Sequence, residues 1–377
     1  MIVDRPRLWP LYLGGFLGPF GGAMVNAMLP ELATGLGTSV ATAATAVTWY
    51  MIPFSGLMLV SGTIGARYGL TRAIRLAFVV YAAASLVCVA ATSPVPFLGG
   101  RMVQGAANAF TTPLLLAVIA EIVPAGGLGR ALGTFAAWGA AGQAFAPFIG
   151  GAAAGVDYRW AFGLSALVAL GLATVARPGP TVSSPVPVRT RWRDLLNPGL
   201  GVAALTGFAG QFTATTVMLV AALTASDRFG LEPAARGLVV AGFGVAGFAS
   251  GRGVGRVADR LGSGRAGVAT LLVLGIGAVA MPTSPWLPAL LLTVAVAGVG
   301  ATGTRVFTNT LSMRSTPSNP AGATSAALAI SFVGSALTPL LLPLYHWRPE
   351  LTGVIPLALC VTAAVVAHGR TRHTVRM

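Results

Sequence analysis

Arg101 has the most distinctive chemistry in the sequence, because its charge lies inside an otherwise apolar stretch. A charge at the centre of a membrane helix costs on the order of 2.5 to 3.5 kcal/mol, so such a residue normally faces a polar cavity and serves a function. Gln104 follows three residues later and therefore shares a helical face with Arg101. The pair predicts a site for a polar or weakly anionic group. The alternative is an anchor whose guanidinium reaches the helix end.

Uncharged polar residues also occur singly inside apolar stretches. Such residues should turn inward, because lipid would leave their hydrogen bonds unmade. Together with Arg101 they indicate an amphipathic cavity suited to a lipophilic or weakly anionic organic compound. For any one of them, a hydrogen bond between helices is an equally good explanation. The predicted ligand-binding residues are Asn26, Tyr50, Arg101, Gln104, Asn108, Gln143, Gln211 and Asn309.

Carboxylates that could carry a proton are scarce. The sequence has nine acidic residues, and none lies near the centre of an apolar stretch. A proton carrier within a membrane needs a titratable group, usually a carboxylate. Glu31, directly after Pro30 at the end of the first apolar stretch, is the predicted candidate for this role. An ordinary solvated acid at a helix end is the competing interpretation.

Enzymatic and cofactor-binding motifs are not indicated. Two matches to G-x-G-x-x-G, at residues 242–247 and 298–303, lie inside apolar stretches without a preceding strand, so helix packing explains them. The sequence contains no Lys, which excludes a Walker loop. His346, His368 and His373 lack metal-ligand spacing. We therefore expect no cofactor, no metal and no enzymatic activity.

The amino-acid composition indicates whether the protein is soluble or lies in a membrane. Of the 377 residues, 55% are hydrophobic and 9% are charged, against about 25% charged in a typical soluble domain. The net charge of +15 would suit nucleic-acid binding only if the arginines clustered on a soluble face. The arginines instead lie mostly between long apolar stretches. The chain is therefore predicted to be an all-α membrane protein that does not bind nucleic acid.

Twelve apolar stretches are long enough to cross a membrane as helices, which takes roughly 17 to 25 residues. The first stretch is longer than the core of a secretory signal, which favours a retained helix. The predicted spans are residues 8–29, 44–64, 76–93, 97–120, 131–153, 160–177, 200–224, 237–255, 266–283, 287–311, 321–345 and 351–368.

The arginines predict the orientation of these spans, because short loops rich in Arg or Lys stay in the cytoplasm. With the amino terminus inside, 17 arginines fall in cytoplasmic segments and 4 in the opposite segments. This distribution predicts a multi-pass protein of the cytoplasmic membrane with both termini in the cytoplasm.

An internal repeat divides the chain into two halves of six spans. Residues 178–199, rich in Pro, Ser and Arg, form the predicted cytoplasmic linker between the halves 1–177 and 200–377. The second half repeats four residues of the first at one offset of 193, which indicates duplication. Gly62, Arg67, Gly69 and Arg72 recur as Gly255, Arg260, Gly262 and Arg265.

Two motifs resemble signatures of the major facilitator superfamily. Residues 255–262 are similar to the family's G-x-x-x-D-R-x-G loop, and residues 62–69 form a second copy in which Ala66 replaces the Asp. Residues 133–151 resemble the antiporter signature of the fifth span, with Ala146 in place of one Gly. The resemblance covers essentially the whole chain. It implies a twelve-helix transporter with two pseudo-symmetric halves, similar to the drug:proton antiporter branch.

The resemblance also implies residues that control conformational change. Loop charges would bond neighbouring helix ends in one conformation and release them in another, with Glu121 as the expected partner of Arg67 or Arg72. Small residues in the fifth span would let a partner helix approach closely. The predicted residues are Gly62, Arg67, Gly69, Arg72, Glu121, Gly142, Pro147, Gly150, Gly151, Gly255, Asp259, Arg260 and Gly262.

The leading functional prediction is a secondary transporter that exports a small organic molecule or drug in exchange for protons, by alternating access between the halves. Its expected partners are the substrate, protons and the lipid bilayer, and we expect it to act as a monomer. An importer or facilitator of the same fold would explain the missing acid, but not the antiporter signature. A membrane enzyme or receptor built on a similar bundle is the remote alternative.

Overall fold

The computed structural model describes residues 8–175, 197–261, 263–316 and 320–374. Within these ranges the regular secondary structure is entirely helical. The chain forms two compact units, Met1–Pro187 and Val188–Met377. The prediction of an all-α fold is confirmed.

The first unit contains eight α-helices and one 3-10 turn among its described residues. The turn, Met24–Ala27, lies between the first two helices. The helices are α1 (Trp9–Ala23), α2 (Leu29–Gly35), α3 (Val40–Tyr68), α4 (Leu70–Ala90), α5 (Pro94–Asn108), α6 (Thr112–Ile122), α7 (Ala125–Ala154) and α8 (Arg159–Val175).

The second unit contains seven α-helices and two 3-10 turns among its described residues. The turns are Thr338–Leu341 and Pro349–Leu351. The helices are α9 (Pro198–Asp227), α10 (Pro233–Leu261), α11 (Ser263–Ala280), α12 (Leu287–Ser315), α13 (Pro320–Leu337), α14 (Leu342–Trp347) and α15 (Val354–Thr374).

Each of the twelve predicted spans overlaps a helical segment of the structure. In the described part of the chain, eight segments are long and apolar enough to cross a membrane, and Arg159–Val175 and Gly264–Ala280 are shorter apolar helices. Three predicted spans are interrupted rather than continuous. Span 1 is divided between α1 and α2, span 4 between α5 and α6, and span 11 between α13 and α14.

A proline accompanies all three interruptions. A proline ring inside a helix clashes with the carbonyl group four residues earlier and removes a backbone hydrogen bond. Pro30 lies four residues after Asn26, which is in the 3-10 turn of span 1. Pro113 and Pro343 have the same relation to the breaks in spans 4 and 11. Proline alone does not dictate a break, because α1, α3 and α7 continue through Pro19, Pro53 and Pro147.

The two units repeat a close contact between their second and fourth spans. In the first unit, a Cβ atom added to Gly105 of α5 would collide with the carbonyl oxygen of Tyr50 in α3. In the second unit, Gly298 of α12 has the same relation to the carbonyl oxygen of Phe243 in α10. Both members of the contact are displaced by 193 residues. Glycine at these positions lets two backbones touch.

A second contact is repeated between the first and fifth spans of each unit. Gly142 of α7 lies against the carbonyl oxygen of Phe16 in α1, and Gly334 of α13 lies against that of Phe208 in α9. Here both members are displaced by 192 residues. The two phenylalanines also stack alike, on Phe20 in α1 and on Phe212 in α9. The halves are therefore pseudo-symmetric in their helix contacts.

Candidate functional site

Arg101 of α5 is completely enclosed within the first unit, with 0% of its surface exposed. Its Nη1 atom donates to the carbonyl oxygen of Gly21 in α1 at 3.0 Å and to Oε1 of Gln104 at 2.8 Å. Its Nε atom donates to the carbonyl oxygen of Ala46 in α3 at 3.5 Å. One guanidinium thus joins three helices through neutral oxygen acceptors.

Aromatic rings provide the remaining surroundings of this cation. The guanidinium carbon lies 4.3 Å from the ring centre of Tyr50 and 5.9 Å from that of Phe162. A cation over an aromatic face gains about 0.5 to 2 kcal/mol, which offsets part of the cost of burial. Within the described part of the chain, no carboxylate forms an ion pair with Arg101.

The hydrogen bonds continue from Arg101 into α4. Nε2 of Gln104 donates to the Ser85 hydroxyl at 2.7 Å, and that hydroxyl donates to the carbonyl oxygen of Tyr81 at 2.8 Å. The Tyr50 hydroxyl donates to the carbonyl oxygen of Gly18 in α1 at 3.2 Å. We call Tyr50, Tyr81, Ser85, Arg101 and Gln104 the Arg101 cluster. It connects α1, α3, α4 and α5.

The geometry decides between the two interpretations of Arg101. A guanidinium with no exposed surface does not reach a helix end, so the anchor alternative is wrong. The hydrogen bond between Arg101 and Gln104 that their spacing predicts is present. The surroundings differ from the expected cavity, however, because protein carbonyls and aromatic rings already occupy the space around the cation.

The other predicted ligand-binding residues of the first unit lie in three places. Asn108 packs against Gly18 and accepts a hydrogen bond from the Thr111 hydroxyl at 2.7 Å. Asn26 is buried in the 3-10 turn that interrupts span 1. Gln143 is half-buried on α7. The structure therefore brings Tyr50, Arg101 and Gln104 into one network, places Asn108 at its edge in a hydrogen bond with Tyr50, and leaves Asn26 and Gln143 outside it.

In the second unit, Gln211 belongs to an uncharged polar group between α9 and α13. Its Nε2 atom donates to the Ser335 hydroxyl at 3.1 Å, and the Thr215 hydroxyl lies 2.7 Å from the same oxygen. Asn309 is half-buried on α12. This group thus offers hydroxyl and amide functions, whereas the Arg101 cluster holds a cation.

Glu31 lies in the first turn of α2, immediately beyond the break in span 1. Its Oε2 atom is buried, although the residue as a whole is half-exposed. A carboxylate that is partly shielded from water at a helix break is suitably placed for a proton-carrying role, which stays a prediction.

The loop between α3 and α4 explains one glycine of the first signature. Gly69 is the single residue between the two helices and has φ of 92°, a conformation that glycine adopts without steric strain. Gly62, in contrast, has open space where a Cβ would lie. Arg67 and Arg72 are exposed, as is Glu121 near the end of α6. Among the described residues, no ion pair joins Glu121 to either arginine.

The second copy of this loop is only partly described. Arg260 is exposed in the last turn of α10. Gly255 and Asp259 belong to the same helix, but their side-chain surroundings lie outside the described part of the chain. Gly262 lies outside the described residues altogether.

The fifth-span signature forms the contact surface of α7 with α1. Added Cβ atoms at Gly142 and Gly150 would collide with the carbonyl oxygens of Phe16 and Met24. Pro147 and Gly151, also part of the signature, are buried. The small residues of the signature therefore allow the close approach of α1 that the sequence predicts.

Sequence reasoning missed Tyr81, Ser85 and Gly21 in this site. Tyr81 and Ser85 lie four residues apart and so share a face of α4, which was an available signal. A serine in an apolar helix ordinarily bonds its own preceding turn, and Ser85 does so while also accepting from Gln104. Gly21 contributes only a backbone carbonyl, which no residue type reveals.

Comparison with protein families gives one match across nearly the whole chain. Residues 11–368 match the model of the Major Facilitator Superfamily.

Curated relatives match over shorter regions. The chain is 31% identical over 150 residues to "Uncharacterized MFS-type transporter EfpA" of Mycobacterium tuberculosis, which covers 40% of this chain and 28% of the relative. It is 31% identical over 172 residues to "Puromycin resistance protein pur8" of Streptomyces alboniger, covering 44% and 34%. It is 28% identical over 142 residues to "Methylenomycin A resistance protein" of Bacillus subtilis, covering 37% and 30%. The matches span about a third or less of these relatives.

Solved structures match over the whole fold. The nucleoside transporter NupG, as a D323A mutant, has a TM-score of 0.78 at 12% identity, covering 96% of this chain and 99% of that structure. A D-xylose–proton symporter has a TM-score of 0.74 at 17% identity, covering 96% of both chains. At these identities the likeness establishes the fold.

Proposed function

Because this chain belongs to the Major Facilitator Superfamily, a family of membrane transporters and not of enzymes, we propose that it exports a small organic molecule in exchange for protons. The two halves would expose the substrate to opposite sides of the membrane in turn. The substrate class would be lipophilic or weakly anionic organic compounds.

The contact between α7 and α1 carries the proposal of export. Two residues of the antiporter-like signature lie directly on backbone carbonyl oxygens of span 1: Gly142 on that of Phe16 in α1, and Gly150 on that of Met24 in the 3-10 turn after α1. A seam with so little space has only a few stable arrangements, so a change in one helix is passed to the other. The relatives whose names refer to puromycin and methylenomycin A resistance add support for efflux.

Proton coupling would rest on Glu31. Its position after the break in span 1 and its buried Oε2 atom support this role. We also propose that residues 178–199 link the two halves on the cytoplasmic side and that both termini are cytoplasmic, in line with the 17 to 4 distribution of arginines. The protein would act as a monomer.

The second candidate is an importer or facilitator of the same fold. The absence of carboxylates near the span centres of the sequence favours it. In that case the substrate would move down its own gradient, and a proton gradient would change its rate little.

Inside-out membrane vesicles that contain the full chain distinguish these candidates. Vesicles are energised to acidify their interior, and accumulation of puromycin and of a panel of lipophilic carboxylates is followed with and without a protonophore. Accumulation that the protonophore abolishes supports proton-driven export. Equilibration without accumulation, at a rate that the protonophore leaves unchanged, would establish the facilitator instead. Vesicles from cells that lack the protein supply the background signal, including any passive accumulation of an amine such as puromycin in the acidic interior.

A further inference from the structure

Arg305 places a second charge inside a membrane span, in the other half of the chain. Its helix, α12, is long and apolar enough to cross a membrane, and Arg305 is the single charged residue of predicted span 287–311. It lies ten residues before the end of the helix at Ser315, about 15 Å at a rise of 1.5 Å per residue. A charge at such a depth normally faces protein or a water-filled cavity and not lipid.

Arg305 is exposed, whereas Arg101 is completely enclosed. Residues that share a helical face with Arg305 lie three, four or seven positions away along the helix. Three of them, Ala301, Thr308 and Ser312, are buried. An exposed cation between buried neighbours on one face indicates a local recess in the packing of the second unit, not a helix side turned to lipid.

Helices α9 and α10 flank this recess. Three residues before Arg305, Thr302 packs against Gly247 in α10. Three residues after it, the Thr308 hydroxyl lies 3.3 Å from the Thr206 hydroxyl in α9. Positions three before and three after a residue lie on its two sides around the helix axis. Arg305 therefore projects from α12 between α9 and α10.

Asn309 adds an amide to the same face, because it follows Arg305 by four residues. Sequence analysis predicts it as a ligand-binding residue, and the structure leaves it half-buried. A guanidinium presents N–H donors in one plane and can hold both oxygens of a carboxylate. The neighbouring amide can donate a further N–H group to the same anion. The pair thus has the chemistry to recognise a carboxylate.

The two halves place their arginines at different depths in equivalent spans. The offset of 193 puts Val294 at the position of Arg101, and Thr112 at the position of Arg305. Arg305 is thus eleven residues, about 16 Å, closer to the helix end that the proposed topology puts in the cytoplasm. The carbonyl groups of Gly21 and Ala46 already bond Arg101. The exposed arginine is the one nearer the side from which an exported anion would come.

We propose that Arg305 and Asn309 form a binding site for the carboxylate of a lipophilic organic anion. The site belongs to the second half and moves anion recognition from Arg101, where the sequence predicts it, to Arg305. That the bound anion is then exported rests on the proposed function, whereas binding itself does not.

A charged probe and its neutral analogue test this site without a membrane gradient. Binding of 2-naphthoate and of 2-naphthamide to the purified full chain is measured by equilibrium dialysis in detergent. Arg314→Gln is the matched control for Arg305→Gln, because Arg314 is an exposed arginine in the last turn of the same helix. Both changes remove one positive charge, so general attraction of anions to a basic protein falls equally in both.

We expect the wild type to bind 2-naphthoate at least about tenfold more tightly than 2-naphthamide. Arg305→Gln should abolish this difference by weakening naphthoate alone, and Arg314→Gln should keep it. Arg305→Lys should bind with intermediate affinity, because it keeps the charge and loses the planar donor pair. Asn309→Leu should weaken naphthoate roughly two- to tenfold, the range for one hydrogen bond.

Three results would overturn the inference. Equal binding of naphthoate and naphthamide by the wild type would show that the chain does not recognise the carboxylate. Equal losses in Arg305→Gln and Arg314→Gln would show that only net charge matters. Displacement of naphthoate by phosphatidylglycerol in mixed micelles, but not by soluble carboxylates, would assign the recess to a lipid headgroup. Thermal unfolding verifies that each variant is folded, and an unfolded Arg305→Gln would give Arg305 a structural role instead.

Failure of the proposed function has a different signature. Vesicles that show no proton-dependent accumulation would contradict export, while the dialysis result would stand by itself. Conversely, proton-driven accumulation of puromycin together with undiscriminating dialysis would keep the proposed function and remove the carboxylate site.

Discussion

Replacing Gly150 by Leu tests the mechanical role of the seam between α7 and α1. A Cβ atom at this position would collide with the carbonyl oxygen of Met24 and lie 3.0 Å from the Met28 side chain. Ordinary contact requires about 3.5 Å, so the 3-10 turn at the end of α1 would have to retreat by about 1 Å. Overpacking of this kind costs about 1 to 3 kcal/mol.

The expected effect on transport depends on which state of the transport cycle the overpacking destabilises. If the seam closes fully in only one state of the transport cycle, a penalty of about 1 to 3 kcal/mol lowers the population of that state roughly 5- to 150-fold. Efflux should fall by a similar factor while the protein still reaches the membrane. The measurement is the initial efflux rate of a substrate found in the vesicle assay, at matched membrane abundance.

Gly171 offers a matched control. It lies in α8 of the same unit, and a Cβ atom there would have nothing within 4 Å. Gly171→Leu should therefore transport at nearly the wild-type rate. Equal efflux by the Gly150→Leu and Gly171→Leu variants would refute the reasoning, because it would show that the tight seam has no part in the cycle.

The remaining predictions concern packing, topology, coupling and the buried cation. Gly105→Ala and Gly298→Ala should each lower the unfolding temperature, because each added methyl group meets a backbone carbonyl of the neighbouring helix; an unchanged temperature in differential scanning would contradict the duplicated contact. In a chain without Cys88 and Cys360, an impermeant thiol reagent applied to intact cells should label Val156→Cys but not Ser184→Cys, and the reverse pattern would invert the proposed topology. Glu31→Gln should abolish the effect of a proton gradient on efflux, and a gradient effect of wild-type size would remove Glu31 from the coupling mechanism. Arg101→Lys should lose most efflux although the charge is kept, because one ammonium cannot replace a planar group with three partners; near-normal efflux would show that the charge alone suffices.

Local patterns predicted much of this fold. The apolar stretches gave the helical segments, and the spacing of Arg101 and Gln104 gave their hydrogen bond. Each helix break has a proline four residues after it, but this signal alone does not identify the breaks, because proline also lies inside the unbroken helices α1, α3 and α7. Pro30 directly follows predicted span 1, whereas in the structure a new helix, α2, begins at Leu29 and continues through Pro30.

The surroundings of Arg101 could not be predicted in this way. Its partners at Gly21 and Ala46 are backbone carbonyls, 80 and 55 residues away along the chain. Helical periodicity shows which face a side chain occupies, but not which helix will cover that face. The predicted open cavity was therefore an inference from residue types, while the enclosed network depends on how four helices pack.

At the repeated contacts of Gly105 and Gly298, one side of the contact requires glycine, while the other side accepts any residue type. The glycine side tolerates no side chain, because a backbone oxygen occupies the place of the Cβ atom. The opposite side contributes only that oxygen, which every residue type possesses. The two halves show this difference. Both have glycine on one side of the contact, while the residue on the opposite side is Tyr50 in the first half and Phe243 in the second. New chemistry can therefore be introduced at the carbonyl side of the contact without loss of the architecture that the two halves share.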